Sequence, residues 1–245
     1  MMDAYAHLNM SAPDPLADLQ ARMDEAAVER ALVVETWSGD NYDCLQKLIE
    51  APQAQFRVAL CFRPDARERL AAQLEQSTVV ALRVKTAELE LIGDFGARLE
   101  ASGQWLLPHA ESGVGLLADA LLKLVERHPR LNVYAPHLAW PTRDGVEDKD
   151  WPQAIEKLHR LPSVVVGVSA IGHFSREAFP HDDVAQLAER LIAMFDAEKI
   201  AAASDYPLCP PSRYADYMRL ANEWIRRIHP RWSPRLAELF LERNV

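Results

Sequence analysis

The sequence predicts a (β/α)₈ TIM barrel, and two observations support this fold. Short apolar or β-branched runs recur along the chain, and each is followed by a longer segment with the periodicity of an amphipathic helix. The 245 residues hold eight such units, close to the roughly 250 residues typical of one barrel. The alternative is an open doubly wound sheet, but its Gly-x-Gly-x-x-Gly loop does not follow the first apolar run.

The elements can be assigned in chain order from these patterns. The predicted strands span residues 3–8, 31–36, 57–62, 79–85, 105–109, 131–137, 164–169 and 200–204. The predicted helices span residues 16–27, 42–51, 66–76, 91–102, 114–127, 151–161, 183–195 and 214–228, with a closing C-terminal helix near 234–243. No linker, repeat or low-complexity stretch interrupts the order, so we expect a single domain over residues 1–245.

Composition and charge exclude several classes of function. The formal net charge is -9 and no run of Lys or Arg exceeds two residues, which argues against nucleic acid as a partner. No apolar run approaches the roughly 20 residues of a membrane helix. Cys44, Cys61 and Cys209 are widely spaced, with no Cys-x-x-Cys pair. These features predict a soluble protein of the reducing cytoplasm with a small-molecule substrate.

Polar residues fall where the predicted strands end. Asp205 follows the eighth apolar run and Pro207 prevents its continuation. In a barrel the carboxyl ends of all strands face one mouth, where catalytic residues are found. Other strand ends carry Tyr5, His7, Glu35, Arg83, Lys85, His109, His137 and Ser169. One Ser-Asp pair alone would more simply cap a turn, but three histidines and an aspartate at the same end predict a functional site.

Four stretches of the chain resemble one family. They are Asp-Ala-Tyr-Ala-His-Leu at residues 3–8, Met-Asp-Glu-Ala-Ala-Val-Glu-Arg-Ala at 23–31, Pro-His-Leu-Ala-Trp-Pro at 136–141 and Ala-Ser-Asp-Tyr-Pro at 203–207. In this order they resemble the Asp-x-His-x-His opening, the second-strand junction, the Asp-His-Leu-Gly-x-Pro stretch and the Gly-Ser-Asp-Trp-Pro stretch of the amidohydrolase superfamily, in its amidohydrolase-2 branch. That branch holds lactonases and related hydrolases, with decarboxylases nearby.

The resemblance implies a role for each of the four matching residues. Asp205 would be the general base that takes a proton from water attacking an ester carbonyl. His7 and His109 would be metal ligands or, in metal-free members, groups that polarise the carbonyl. His137 would line the pocket and orient the substrate.

Tyr5 departs from the family pattern, because it stands where the family has its first metal histidine. A phenol with a pKa near ~10 is a poor ligand at neutral pH. We therefore expect no metal, or one zinc or manganese ion held weakly by His7, His109 and Asp205. Tyr5 would instead donate a hydrogen bond to the substrate carbonyl.

A further group of residues is expected to bind the substrate or to wall the pocket. Arg83 and Lys85 alternate on one strand and therefore point the same way, as a carboxylate site requires. The alternative is that one of them pairs with a neighbouring carboxylate. The carboxylates in question are Glu35 and Glu111, and the other candidate lining residues are Ser169, Tyr206, Trp37 and Trp140.

These observations predict a hydrolase that opens a lactone or similar ester of a small carboxylic acid. Two alternatives remain at this stage: a metal-dependent decarboxylase of the same superfamily, or a lapsed barrel that serves as a binding protein. Trp224 and Trp232 on the late helices are expected to be exposed, which would indicate a homo-oligomer. The remaining histidines are expected to be solvated, with His173 set apart by its closeness to the seventh strand; they are His128, His159, His173, His181 and His229.

Overall fold

The computed structural model describes residues 1–110, 114–141 and 150–233, and within them it confirms the barrel. Eight strands pair in sequential order and in parallel, β1 with β2 and so on to β8. The strands are β1 (Met2–Ala6), β2 (Arg30–Val34), β3 (Phe56–Cys61), β4 (Val79–Lys85), β5 (Trp105–His109), β6 (Asn132–Ala135), β7 (Val164–Val168) and β8 (Ile200–Ala202). β4 and β5 have the predicted bounds, and the other strands end one or two residues early.

The first and last strands approach each other and close the barrel. The backbone N–H of Asp205 donates to the carbonyl oxygen of Tyr5 over 3.0 Å, and that of His7 donates to Tyr206 over 2.6 Å. Ala6 and Tyr206 form a parallel bridge at the same place. The closure therefore brings the chain segment that carries Asp205 against the segment that carries Tyr5 and His7.

Helices follow the strands nearly as predicted. They are α1 (Pro15–Glu25), α2 (Tyr42–Glu50), α3 (Arg67–Gln73), α4 (Asp94–Ser102), α5 (Val114–Arg127), α6 (Trp151–His159), α7 (Ile171–Phe174), α8 (Asp182–Met194) and α9 (Tyr214–Ile228). Asp14 caps α1 by accepting a hydrogen bond from the N–H of Ala17. The short α7 was not expected, and the predicted helix near 234–243 lies outside the described residues.

Two sets of buried residues form the core. The larger set packs the outer face of the sheet against the helices. The smaller set comes from the other face of the strands and fills the barrel interior, with mostly small or β-branched residues such as Ala4, Val34 and Ala201. A register irregularity between Asp3 and Ala6 interrupts the alternation on β1, so Tyr5 joins Ala4 in this interior set.

Two predictions about the surface were wrong. Trp224 is 3% exposed and Trp232 is 4% exposed, and the indole of Trp232 donates to the carbonyl of Ile200. Both rings are part of the helix-to-barrel core, so they give no argument for a subunit interface. His181 is buried as well, whereas His159 and His173 are exposed as expected. All three cysteines are free.

None of the helices in the described part of the chain is long and apolar enough to cross a membrane.

Candidate active site

Asp205 lies immediately after β8, in a conformation that its surroundings impose. Its φ is 57°, in the left-handed region that few residues other than glycine adopt. The residue is 3% exposed, and its Oδ1 atom has no hydrogen-bond partner in the protein. Burial raises the pKa of Asp205 to about 8, and the nearby Arg83 guanidinium opposes that rise. A buried carboxyl oxygen with no partner in the protein is a candidate for contact with substrate or water.

Asp3 holds the segment before Asp205 in place. Its fully buried carboxylate accepts hydrogen bonds from the N–H of Ser204 at 2.9 Å, the hydroxyl of Ser204 at 2.5 Å and the hydroxyl of Tyr214 at 2.9 Å. The N–H of Tyr5 is a fourth donor, at 3.2 Å. Asp3 therefore ties β1 to the loop after β8 and to α9. Sequence reasoning used Asp3 only as part of a motif, and its role as an anchor was missed.

His137 lies in a left-handed turn formed by residues 137–140, whose φ values run from 51° to 58°. Each such residue costs about 1–2 kcal/mol relative to a right-handed conformation, so other contacts must hold the turn. The hydroxyl of Ser169 accepts from the backbone N–H of His137 at 2.9 Å and lies 3.0 Å from its Nδ1. The indole of Trp151 donates to the carbonyl of Leu138. Ser169 therefore positions His137.

Three rings meet beside Asp205. The Tyr5 ring lies edge-on to His7 with centroids 5.2 Å apart, and edge-on to His137 at 4.4 Å. His7 and His137 therefore both lie against the Tyr5 ring. His137 Nε2 lies 3.9 Å from Asp205 Oδ1. Burial lowers the pKa of His137 well below its ordinary value, so the ring is neutral and this contact is not an ion pair.

The protonation of Tyr5 and His7 follows from their burial. Burial raises the pKa of the Tyr5 phenol, which keeps it protonated, and its oxygen has no hydrogen-bond partner in the protein. Burial lowers the pKa of His7 to about 3. Its Nδ1 lies 2.7 Å from the carbonyl oxygen of Val34, which can only accept, so Nδ1 carries the proton and Nε2 is the acceptor.

Cationic and aromatic groups form the wall on the β4 side. The Arg83 guanidinium lies 4.4 Å from the centre of the Trp37 ring and 5.7 Å from that of Tyr5. The Lys85 ammonium lies 5.2 Å from the Trp37 ring. The His109 ring is 5.5 Å from the same indole. Arg83 and Lys85 thus both lie near the Trp37 ring, as their alternation on β4 predicted.

Glu35 does not pair with Arg83 through its side chain. Its Oε1 accepts from Arg63 at 2.8 Å, and its Oε2 accepts from the N–H of Cys61 at 2.7 Å. Arg83 donates instead to the backbone oxygen of Glu35 at 2.9 Å. Both oxygens of the Glu35 carboxylate therefore bind groups of the protein. Glu35 stabilises the mouth of the barrel and does not bind substrate through its side chain. Glu111 lies outside the described residues.

Tyr206 points away from the mouth. It is fully buried, its hydroxyl donates to Asp18, and its ring lies 5.7 Å from that of Tyr214. Asp205 faces His137, whereas the Tyr206 hydroxyl is held on the opposite side by Asp18 of α1. The expectation that Tyr206 lines the pocket is corrected accordingly.

The mouth is covered by two indoles. Trp37 and Trp140 both contact His109, with ring centroids 5.5 and 6.4 Å away, and Trp140 also lies 6.2 Å from His137. His7, His137 and Asp205 are each less than a tenth exposed beneath them. Trp37 and Trp140 therefore line the mouth of the barrel, as predicted, and lie above its histidines.

A cavity opens to the side of these two indoles. It has a volume of about 350 Å³ and lies between residues 170–175 after β7 and residues 204–210 after β8, with Tyr217 of α9 also lining it. We call Asp205 and the rings of Tyr5, His7 and His137 the ring cluster. Of these four residues, Asp205 alone lines the cavity. We call this cavity the β7–β8 pocket. His173, which the sequence set apart from the other histidines, also lines it.

The predicted metal ligands do not form a metal site. No three His, Cys, Asp or Glu side chains within residues 1–110, 114–141 and 150–233 are arranged to hold a metal ion. His7, His109 and Asp205 are thus not gathered as ligands. The donor set explains this, because the position of the first family histidine holds the phenol of Tyr5, whose burial disfavours the ligating phenolate. The residues present do not fit a metal ion, and the proposed reaction uses none.

The chain belongs to the amidohydrolase family. The family model described as amidohydrolase, of the amidohydrolase-2 type, matches residues 1–225. This match confirms the resemblance that the strand-end motifs indicated. No curated protein matches the chain.

Solved structures share the fold at low sequence identity. An amidohydrolase from Burkholderia multivorans with bound zinc has a TM-score of 0.73 and 16% identity, over 97% of this chain and 94% of that chain. A protein described as a probable 2-pyrone-4,6-dicarboxylic acid hydrolase from Acinetobacter baumannii, with citric acid bound, has a TM-score of 0.69 and 17% identity, over 99% and 96%. A 2,6-dihydroxybenzoate decarboxylase from Rhizobium has a TM-score of 0.62 and 14% identity, over 98% and 99%.

Proposed function

We propose that the protein is a hydrolase that opens a lactone or similar ester of a small carboxylic acid, with Asp205 as general base. One observation carries this proposal. The carboxyl of Asp205 is buried, held in a left-handed conformation, and presents an oxygen without a protein partner between the ring cluster and the β7–β8 pocket. A strained backbone conformation, combined with a buried carboxyl oxygen that has no hydrogen-bond partner, is typical of a catalytic residue.

In the proposed reaction, water attacks the ester carbonyl carbon while the Asp205 carboxylate takes one of its protons. The carbon–oxygen bond of the ester then breaks, and the leaving oxygen receives that proton back from Asp205. The raised pKa of Asp205 makes its carboxylate a stronger base than an ordinary aspartate.

The developing negative charge on the carbonyl oxygen needs a donor, and Tyr5 provides one. Its phenol is protonated and its oxygen has no partner in the protein, so its O–H is free to donate. In the tautomer in which Ser169 donates to His137 Nδ1, Nε2 of His137 carries the proton and faces the space beside Asp205. Tyr5 and His137 would then polarise the carbonyl together, with no metal ion.

A carboxylate on the substrate would bind near Arg83 and Lys85. Both cations lie against the Trp37 ring, which places their charges on one side of the mouth. The Acinetobacter baumannii structure described above binds citric acid, a polycarboxylate, and its named substrate class is a dicarboxylic lactone. Both facts support an anionic substrate for this chain.

The experiment is a panel of carboxylated five- and six-membered lactones assayed with the wild type and with Asp205→Asn. We expect Asp205→Asn to lower kcat by 10²–10⁴-fold, the usual contribution of a general base. Asp24→Asn, an exposed aspartate on α1, is the matched control and should retain full activity. Turnover in Asp205→Asn equal to that of the wild type would refute the assigned base.

The two alternatives predict different results in the same assays. A decarboxylase, the activity named for the Rhizobium neighbour, would release CO₂ from aromatic carboxylates and would copurify with about one metal ion per chain. A lapsed barrel would turn over no substrate. Asp205 has no charged partner at salt-bridge distance among the described residues, since His137 is neutral, so no ion pair occupies the group that would accept the proton of water.

We also propose that residues 1–245 act as one domain in a reducing compartment such as the cytoplasm. Cys44, Cys61 and Cys209 are free thiols, and two of them are buried in the core. Free buried thiols are usual where glutathione keeps cysteines reduced.

A further inference from the structure

The β7–β8 pocket has a different chemical character from the Arg83 side of the mouth. None of the described residues that line it is Lys or Arg. Asp205 lines this pocket, whereas Arg83 and Lys85, which lie against Trp37, do not. A substrate with its ester at Asp205 and its carboxylate at Arg83 would therefore extend an uncharged part into this pocket.

Tyr217 is one of the polar residues that line the pocket, and His181 fixes the orientation of its hydroxyl. The Tyr217 hydroxyl lies 2.7 Å from His181 Nε2, and His181 Nδ1 lies 2.9 Å from the carbonyl oxygen of Glu177. A carbonyl oxygen only accepts, so Nδ1 carries a proton; when Nε2 carries none, Nε2 accepts the hydrogen of the Tyr217 hydroxyl. The Tyr217 oxygen is then left as an acceptor toward the pocket.

The packing around Tyr217 and His181 keeps the direction of their hydrogen bond fixed. Tyr217 and His181 are each 6% exposed, and their ring centroids are 5.5 Å apart. Gly172 lies so close that a Cβ atom there would be 2.5 Å from the Tyr217 oxygen and 3.1 Å from His181 Nε2. The hydroxyl therefore cannot swing away without losing His181, and it can reach a ligand only as an acceptor.

We propose that the β7–β8 pocket binds a hydroxyl-bearing, uncharged part of the substrate, that Tyr217 selects it by accepting its hydrogen bond, and that His181 is a positioning residue for Tyr217. The inference rests on the proposed function, because it places the ester at Asp205. It defines the substrate class further as a lactone with a carboxylate at one end and a hydroxyl at the other.

The test compares two six-membered lactones that carry the same ring carboxylate and differ by one ring hydroxyl. Their dissociation constants are measured at pH 8 by calorimetry on Asp205→Asn protein, and their kcat/KM values on protein that keeps Asp205. We expect a preference of about tenfold for the hydroxylated lactone, the size of one hydrogen bond. Tyr217→Phe should reduce that preference below about twofold while leaving the deoxy lactone unaffected.

Two further variants separate selection from general structure. His181→Asn keeps a residue that tolerates a φ of 66° but removes the imidazole acceptor, so it should raise KM for the hydroxylated lactone and leave kcat for the deoxy lactone unchanged. Tyr42→Phe removes a hydroxyl on α2 that binds Gln73, and the preference should persist. If Tyr217→Phe does not fold, His181→Asn decides the question.

The inference is overturned if wild-type protein shows no preference, or if Tyr217→Phe weakens both lactones equally. The positioning role of His181 is overturned if His181→Asn keeps the full preference. Hydroxyl-dependent binding without turnover would refute the hydrolase and leave the pocket assignment standing. Turnover without a hydroxyl preference would refute the pocket assignment and leave the hydrolase standing. If neither lactone binds, both the hydrolase and the pocket assignment are refuted.

Discussion

Asp3 sets two opposing physical effects against each other, and replacing it with asparagine measures which one dominates. Its carboxyl is fully buried, which disfavours the charged form, yet it accepts four hydrogen bonds, which favour the charged form. Burial is the larger effect, and it raises the pKa of Asp3 from 3.8 to about 6. Asparagine has nearly the same shape but cannot ionise.

The sign and the magnitude follow from this pKa. In the unfolded chain Asp3 loses its proton near pH 4, whereas in the folded protein it does so near pH 6. Between these values the folded state binds more protons, so the free energy of unfolding falls as the pH rises. At about 1.4 kcal/mol per pH unit the loss amounts to about 3 kcal/mol, and it is complete above pH 6.

The assay is urea denaturation of wild type and Asp3→Asn at intervals from pH 4 to pH 7. The free energy of unfolding of the wild type, minus that of the variant, should fall by about 2.5 kcal/mol over this range, because a small part of the loss has already occurred at pH 4 and other titrating groups are common to both. Asp24→Asn, at an exposed position, should change the free energy of unfolding by no more than about 0.5 kcal/mol. A difference that rises with pH would refute the reasoning, since it would mean that the four hydrogen bonds outweigh burial.

Three other predictions concern the mouth. Tyr5→His should bind about one zinc ion per chain, measured by elemental mass spectrometry after dialysis, because it supplies the imidazole that the family has at this position, beside the neutral His7; zinc at the wild-type level would contradict this. Arg83→Met should raise KM for a carboxylated lactone by 10-fold or more, the value of a charge-assisted hydrogen bond, and should leave KM for an uncharged lactone within twofold; equal effects on both would argue against a carboxylate at Arg83. Ala139→Gly should leave the free energy of unfolding within about 0.5 kcal/mol of the wild type, because relief of the strain at a φ of 53° offsets the loss of a buried methyl group and the entropy of glycine; a loss of about 1.5 kcal/mol in thermal melts would count against strain in this turn.

Several features of the site could be predicted from the sequence because they depend on local pattern. The apolar runs placed all eight strands, and the carboxyl ends of parallel strands must face one mouth. The convergence of Tyr5, His7, His137 and Asp205 follows from that rule alone. The amphipathic segments likewise predicted eight of the nine helices within the described residues, and only the four-residue α7 is too short to leave a periodic signal.

The partners of these residues were decided by packing between distant parts of the chain. Glu35 pairs with Arg63, 28 residues away, whereas Arg83 on β4, two strands from β2, donates to the backbone oxygen of Glu35 and lies against Trp37. His181 and Tyr217, 36 residues apart, meet only because α8 and α9 pack side by side. No pattern of charge or hydropathy along the chain contains that information.

The sequence by itself determined the barrel, the family and the strand ends at which chemistry is expected, since these depend on the order and spacing of residue types. Only the tertiary structure decided that Asp205 faces an open pocket and that Tyr206 and Trp224 turn into the core. The physical reason is that burial and hydrogen-bond partners belong to the packed barrel, where residues far apart in sequence compete for the same space and the same donors.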